Sequence, residues 1–269
     1  MSDATVEFVM PAGSSRERIR MGAGSDRRDQ TVHDVSAAGW DHYERPLPER
    51  LFHSARENPG VIVDVGANTG LYSLIACGAS MRNEVLAFEP DPSVIPILES
   101  NIALNYGVRI DVRKTALSSK PGRASLYVPL KDHGLVETSS SLEADFKSEH
   151  SSIETVDVST LDAVLREALS PDKRVTVLKI DVEGHEFEVL AGGGWTVHRF
   201  RPLIFVEVLH RANVAGLTRY IREHDYLDVP LIPDATLCAH GEVAHDTRAW
   251  NHALVPHERL LSFLSVGPA

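Results

Sequence analysis

The chain has 269 residues and is short of several things, each of which removes a class of function. Its two cysteines, Cys77 and Cys238, are too few for a disulfide framework and too far apart for a CxxC metal site. That usage suits a reducing compartment, and the expectation is a cytoplasmic protein. The N-terminal "MSDATVEFVMPAG" lacks the basic start and apolar run of a signal peptide. No stretch approaches the ~18 consecutive apolar residues of a membrane helix, so no membrane partner is expected. Bases are scarce, 27 Lys and Arg against 38 Asp and Glu, for a net charge of -11. Such a surface repels phosphate backbones and argues against nucleic acid as a partner. Aromatic residues make up 6%, which offers no obvious pair of rings to sandwich a flat substrate.

What is there is an alternation. The length is enough for one large α/β domain or two small ones, and apolar residues reach 43%, which argues against bulk disorder. Residues 1–45 are polar, and the expectation is a leader or cap segment, mobile over 1–25, ahead of one domain over 46–269. "HYERPLPERLFHSARE" has near-helical apolar spacing. From residue 61, buried-strand patterns ("VIVDV", "EVLAFEP", "VRIDVRKTAL", "VTVLKIDV", "PLIFVEV") alternate with helical ones ("GLYSLIACGAS", "PSVIPILESNIALN", "STLDAVLREAL", "EFEVLAGGG", "VAGLTRYIREH"). "ASLYVP" reads as a further short strand. Strands without polar alternation imply a mostly parallel sheet covered by helices on both faces. The polar, serine-rich residues 131–155 interrupt the rhythm and are expected to form a lid, a substrate loop or a surface insertion.

Ligands of such sheets bind beyond the carboxyl ends of the strands, so the strand-end residues carry the functional reading. "DVGANTG" places Gly66 and Gly70 in a sharp turn that leaves no Cβ in the way of a ligand, with Asn68 or Thr69 as a helix cap. The dinucleotide fingerprint fails, because Asn68 and Leu71 stand where GxGxxG needs glycine. No lysine follows Gly70, so there is no P-loop either. The turn therefore suits a nucleoside without pyrophosphate, with Asp64 placed to hold an ammonium. Glu89, in "FEP", stands where a carboxylate accepts hydrogen bonds from ribose hydroxyls. A cationic adenosine derivative with an amino-acid tail, S-adenosylmethionine, meets these conditions better than NAD.

The strings "VIVDVGANTGLYSLIA", "AFEPDP", "LESNIALNYGV", "TALSSKPGRASLYV" and "LKIDVEGHEFEVLAGG" followed by "RPLIFVEV" resemble the FkbM family of S-adenosylmethionine-dependent methyltransferases. The likeness covers about residues 60–210 well and 211–260 loosely, with "NHALVP" similar to the family's last strand. It implies a class I methyltransferase fold, Rossmann-like, whose seven-stranded sheet has its last strand antiparallel. It also implies O-methylation of a small-molecule acceptor, such as a natural product, polyketide or sugar. By this likeness Asp64, Gly66, Ala67, Asn68 and Gly70 match the cofactor loop. Tyr72 and Ser73 follow towards the methionine end, Glu89 and Pro90 lie at the ribose, and Thr115, Ala116 and Leu117 lie at the adenine edge.

The chemistry is expected after the strands "VLKID" and "FVEV", where Asp181, Glu183, His185, Glu207 and His210 gather ionisable groups. Asp181 serves cofactor and catalysis alike. His185 or His210 has the intrinsic pKa of a general base, and Asp181 or Glu207 would serve if burial raised theirs. Glu186 and Glu188 are assigned to the positive end of the short helix that follows. Lys179, mid-strand, is expected to snorkel or pair with an acid. A divalent metal on Asp181, Glu183 and Glu207 is a competing device that no histidine spacing calls for, and no metal is assigned. N-methylation and a catalytically inactive nucleoside-binding module are the alternatives, with a dehydrogenase more remote. Trp40 and Tyr43 are placed near the cleft entrance.

Overall fold

The computed structural model of the protein describes residues 5–22, 30–129, 140–143 and 150–265. It opens with a hairpin of β1 (Thr5–Val9) and β2 (Arg18–Gly22), followed by helices α1 (Gln30–Ala38) and α2 (Leu47–Glu57). Next come β3 (Val61–Val65), α3 (Leu71–Ala79), β4 (Glu84–Phe88), α4 (Ile95–Ala103) and β5 (Ile110–Arg113). Three further strands, β6 (Ala116–Leu117), β7 (Gly122–Pro129) and β8 (His150–Ser159), form a small sheet of their own. After them stand α5 (Leu161–Ala168), β9 (Val175–Ile180), α6 (Glu186–Ala191), α7 (Gly194–Phe200) and β10 (Leu203–Glu207). Then α8 (Val214–Glu223), β11 (Tyr226–Pro230), β12 (Asn251–Pro256) and α9 (Leu260–Ser265) follow.

The main sheet has the order β11-β12-β10-β9-β3-β4-β5. Its neighbours are parallel except at β12, which runs antiparallel to β10 and β11. This is the class I methyltransferase arrangement. The central strands alternate between two apolar layers, because successive side chains leave a strand on opposite faces. Ile62, Val85, Val177 and Phe205 face a layer with α2, α3 and the hairpin. Val63, Phe88, Ile180 and Ile204 face the layer of α5, α6, α7 and α8.

Within the segment expected as a mobile leader, residues 5–22 form this hairpin. "RIRM" alternates charge and apolar side chains, and Ile19 and Met21 are fully buried in the core. Asn105 donates to the Arg20 carbonyl (2.6 Å) and accepts from its amide (2.9 Å), while Asn101 accepts from Gly22 (2.8 Å). The two asparagines thus answer the unpaired edge of β2. Other boundaries moved too. Pro96 lies in the first turn of α4, where no amide donor is needed. "GGG" closes α6 but also opens α7. Residues 150–155 of the serine-rich segment belong to β8, paired with β7. Of the remaining segment only 140–143 lies within the described residues.

Candidate active site

A cavity of about 340 Å³ opens at the carboxyl ends of β3, β4, β9 and β10. It brings together Gly66, Asn68, Glu89, Pro90, Thr115, Ala116, Leu117, Asp181, His185 and Glu207, all expected from the sequence. Thr31, Tyr43, Glu44, Phe88, Leu126, Ser140, Leu142 and Glu183 also line it. None of its described lining residues is Lys or Arg.

The turn after β3 is shaped by a close approach within the protein. Gly66 has φ +75°, and a Cβ there would sit 1.8 Å from the Asp181 carbonyl oxygen. Its glycine lets the β3 turn meet the β9 turn, rather than simply clearing space for a ligand. Neither Asn68 nor Thr69 caps α3, whose N-cap is Gly70 at φ +98° with no side-chain bond. Instead the Asn68 amide donates to Glu89 Oε2 (2.9 Å), and the Asp91 amide donates to Glu89 Oε1 (2.9 Å). Glu89 is thereby fixed at the cavity wall, 6% exposed, and burial pushes its carboxyl up to about 7. A carboxylate has about four acceptor directions, so lone pairs remain for a ligand's hydroxyls.

Behind the wall lies a buried charge network. Asp64 and Lys179 are direct partners in the β3–β9 register. Lys179 does not snorkel: it is 2% exposed, with Nζ 3.1 Å from Asp181 Oδ2 and 3.7 Å from Asp64 Oδ1. Ser73 Oγ donates to Asp64 Oδ2 (2.6 Å). Tyr72 presents its ring to Lys179 at 4.7 Å and donates its hydroxyl to Glu44 Oε2 (2.5 Å). Asp64, Ala67, Gly70, Tyr72 and Ser73 therefore lie outside the cavity lining, and Asp64, expected to face a ligand ammonium, serves Lys179 instead.

On the opposite side, Glu183 (φ 57°) and Gly184 (φ 102°) make the β9 turn in left-handed conformations. Glu186 holds that turn by accepting from the Gly184 amide (2.9 Å) and the Val182 amide (3.3 Å). Burial pushes the Glu186 carboxyl up to about 7. Carboxylate oxygens of Asp181, Glu183 and Glu207 all lie within 4.8 Å of one another. Glu207 Oε2 is buried without a hydrogen-bond partner among the described residues. Burial, then the charges of Asp181, Glu183, Glu186 and Glu44, hold its pKa well above the carboxylate range. Glu44, at φ 51°, is raised by burial and by Asp181.

His185 lines the cavity, but its Nδ1 pairs with Glu143 (2.6 Å) and its Nε2 with Ser118 (2.9 Å), so neither ring nitrogen is open to a substrate proton. His210 is exposed and outside the cavity lining. Trp40 is core, donating Nε1–H to Val9 (2.9 Å), whereas Tyr43 does line the cavity. β5 ends at Arg113, and Ala116–Leu117 pair with β8 in the small sheet, yet Thr115, Ala116 and Leu117 still reach the cavity. The residue the sequence reading missed is Glu44. Its signal was an acid beside a tyrosine just before the "RPLP" that opens α2, in a segment outside the family likeness.

Among the described residues, no helix is long and apolar enough to cross a membrane. Methyltransferase sdnD of Sordaria araneosa is 34% identical over 154 residues, 49% of this chain and 59% of that protein. Hexuronic acid methyltransferase AglP of Haloferax volcanii is 33% identical over 146 residues, 53% of this chain and 54% of that protein. The chain thus spans little more than half the length of these curated relatives. A crystal structure described as Methyltransferase FkbM from Methylobacillus flagellatus aligns at 20% identity with a TM-score of 0.48, over 72% of this chain and 43% of that one. Residues 64–227 match the Methyltransferase FkbM domain, and the chain belongs to that family.

Proposed function

We propose that the protein is an S-adenosylmethionine-dependent O-methyltransferase acting on a hydroxyl of a small molecule. The observation that carries this reading is Glu89: a carboxylate oriented by two backbone amides, on a cavity whose described lining holds five acids and no Lys or Arg. That lining favours a cationic nucleoside and disfavours the pyrophosphate of NAD. Glu89 would hold the ribose hydroxyls, with Thr115, Ala116 and Leu117 against the base. The acids around Asp181 would face the cationic end. When bound, S-adenosylmethionine supplies an activated methyl group on its sulfonium.

The protein's own task is then alignment and proton removal. Alignment of reactants alone is worth up to ~7–11 kcal/mol in the best cases. For the proton, Glu207 is the best-placed general base: it lines the cavity, its Oε2 has no hydrogen-bond partner among the described residues, and its pKa is raised. Asp181 is less suited, because Lys179 is bound to it. The test of the cofactor is calorimetric titration with S-adenosylhomocysteine, with NADH as the control. Micromolar binding of the first alone is expected. Binding of NADH alone, or of neither to folded protein, would end this reading.

A further inference from the structure

A second cavity, about 420 Å³, adjoins the first on its outer side. It is lined by His42 and Arg45 from the N-terminal segment, by Leu231 and Pro233, and by Trp250 and Asn251. Glu44 lines both cavities. Asn251, on this lining, is the direct partner of Glu207 in the β10–β12 ladder, their backbones one strand spacing, about 5 Å, apart. Trp250 is 59% exposed, yet its backbone is held firmly: its carbonyl accepts from the Val208 amide (2.6 Å) beside the end of β10. An exposed indole on a braced strand end can stack against a ring.

We propose that this outer cavity is the acceptor subsite and that it takes an uncharged, hydroxyl-bearing ring compound stacked on Trp250, to the exclusion of carboxylated ones. The proposal rests on the methyltransferase reading above. Charge sets the class. Arg45 and Arg248 line the outer cavity, but each already has a carboxylate partner, Asp234 (3.1 Å) and Asp246 (2.6 Å). Deeper in, Glu44, Asp181, Glu183 and Glu207 line the inner cavity and repel a carboxylate. Every residue of this subsite lies outside the matched range 64–227, so an acceptor known for a relative does not carry over.

The test is fluorescence titration of protein saturated with S-adenosylhomocysteine, reading indole emission. The probes are phenyl β-D-glucopyranoside and phenyl β-D-glucuronide, which differ by one carboxylate. Trp40 and Trp195 supply a constant background. The glucoside is expected to change the emission saturably, Trp250→Phe to remove that response, and the glucuronide to need about tenfold more ligand or not to respond. No response to the glucoside, a response that survives Trp250→Phe, or an equal response to the glucuronide overturns the proposal. Binding of S-adenosylhomocysteine is measured on the same samples and should be unchanged by Trp250→Phe. Its absence in the wild type would sink the methyltransferase reading, and the probes are then titrated without it.

Discussion

Glu89 and Glu207 both end strands of one sheet and both reach one cavity, yet they are held in opposite ways. Glu89 accepts two backbone amides and is oriented before any ligand arrives. Glu207 has a buried oxygen with no partner among the described residues and stands among acids. Both pKa values are raised first by burial. The difference is that two amides oppose the shift at Glu89 more than Asp91 and Asp64 add to it, whereas at Glu207 every cause after burial is a neighbouring carboxylate that adds to it. A carboxylate's partners, more than its place on a strand, thus separate a receptor for hydroxyls from a candidate base.

Gly66→Ala attacks both rims at once, because the new Cβ meets the Asp181 carbonyl at 1.8 Å in a left-handed backbone. It should abolish S-adenosylhomocysteine binding and lower the unfolding free energy by ~3 kcal/mol or more, read by urea denaturation. Glu207→Gln breaks one rim alone. It should slow single-turnover methyl transfer by about 10²–10⁴-fold while leaving S-adenosylhomocysteine affinity within about twofold. Glu89→Gln breaks the other and should weaken that affinity about 10–100-fold by calorimetry, as expected for hydrogen bonds to a charged acceptor.

pH sharpens the same contrast. Burial raises Glu89 from 4.5 to about 7, so the ligand-free fold binds its proton more tightly than the unfolded chain does. Stability from this group is fully present below pH 4.5 and is lost as pH rises to about 7. If Glu89 holds ribose hydroxyls as proposed, they donate to its ionised form, so affinity for S-adenosylhomocysteine should rise between pH 6 and 8, by up to about tenfold per unit, and flatten in Glu89→Gln. The smallest effects fall on the histidines. His185→Ala should slow transfer less than about tenfold, since both ring nitrogens are already bonded, and His210→Ala should leave kcat within about twofold.

The sheet was legible because "VIVDV", "VTVLKIDV" and "PLIFVEV" are apolar runs that only a doubly covered strand explains. The position of Glu89 on the cavity was legible because one loop and one strand place it. What escaped depends on contacts distant in sequence. Asp64 looked like a ligand group until the register paired it with Lys179. The hairpin looked like a leader because its "RIRM" alternation is short and the asparagines that hold it lie about 80 residues on. Glu44 reaches the site through Tyr72, a partner no local pattern announces. His185 and His210 were chosen for intrinsic pKa, a property that says nothing of whether a ring nitrogen is open.

The most direct measurement is the dissociation constant of S-adenosylhomocysteine for wild type, Glu89→Gln and Glu207→Gln, side by side at pH 8. The expected result is micromolar binding by wild type and Glu207→Gln, with affinity lost in Glu89→Gln alone. Equal losses in both variants, or full affinity in Glu89→Gln, would contradict the division of the cavity into a ribose rim and a catalytic rim.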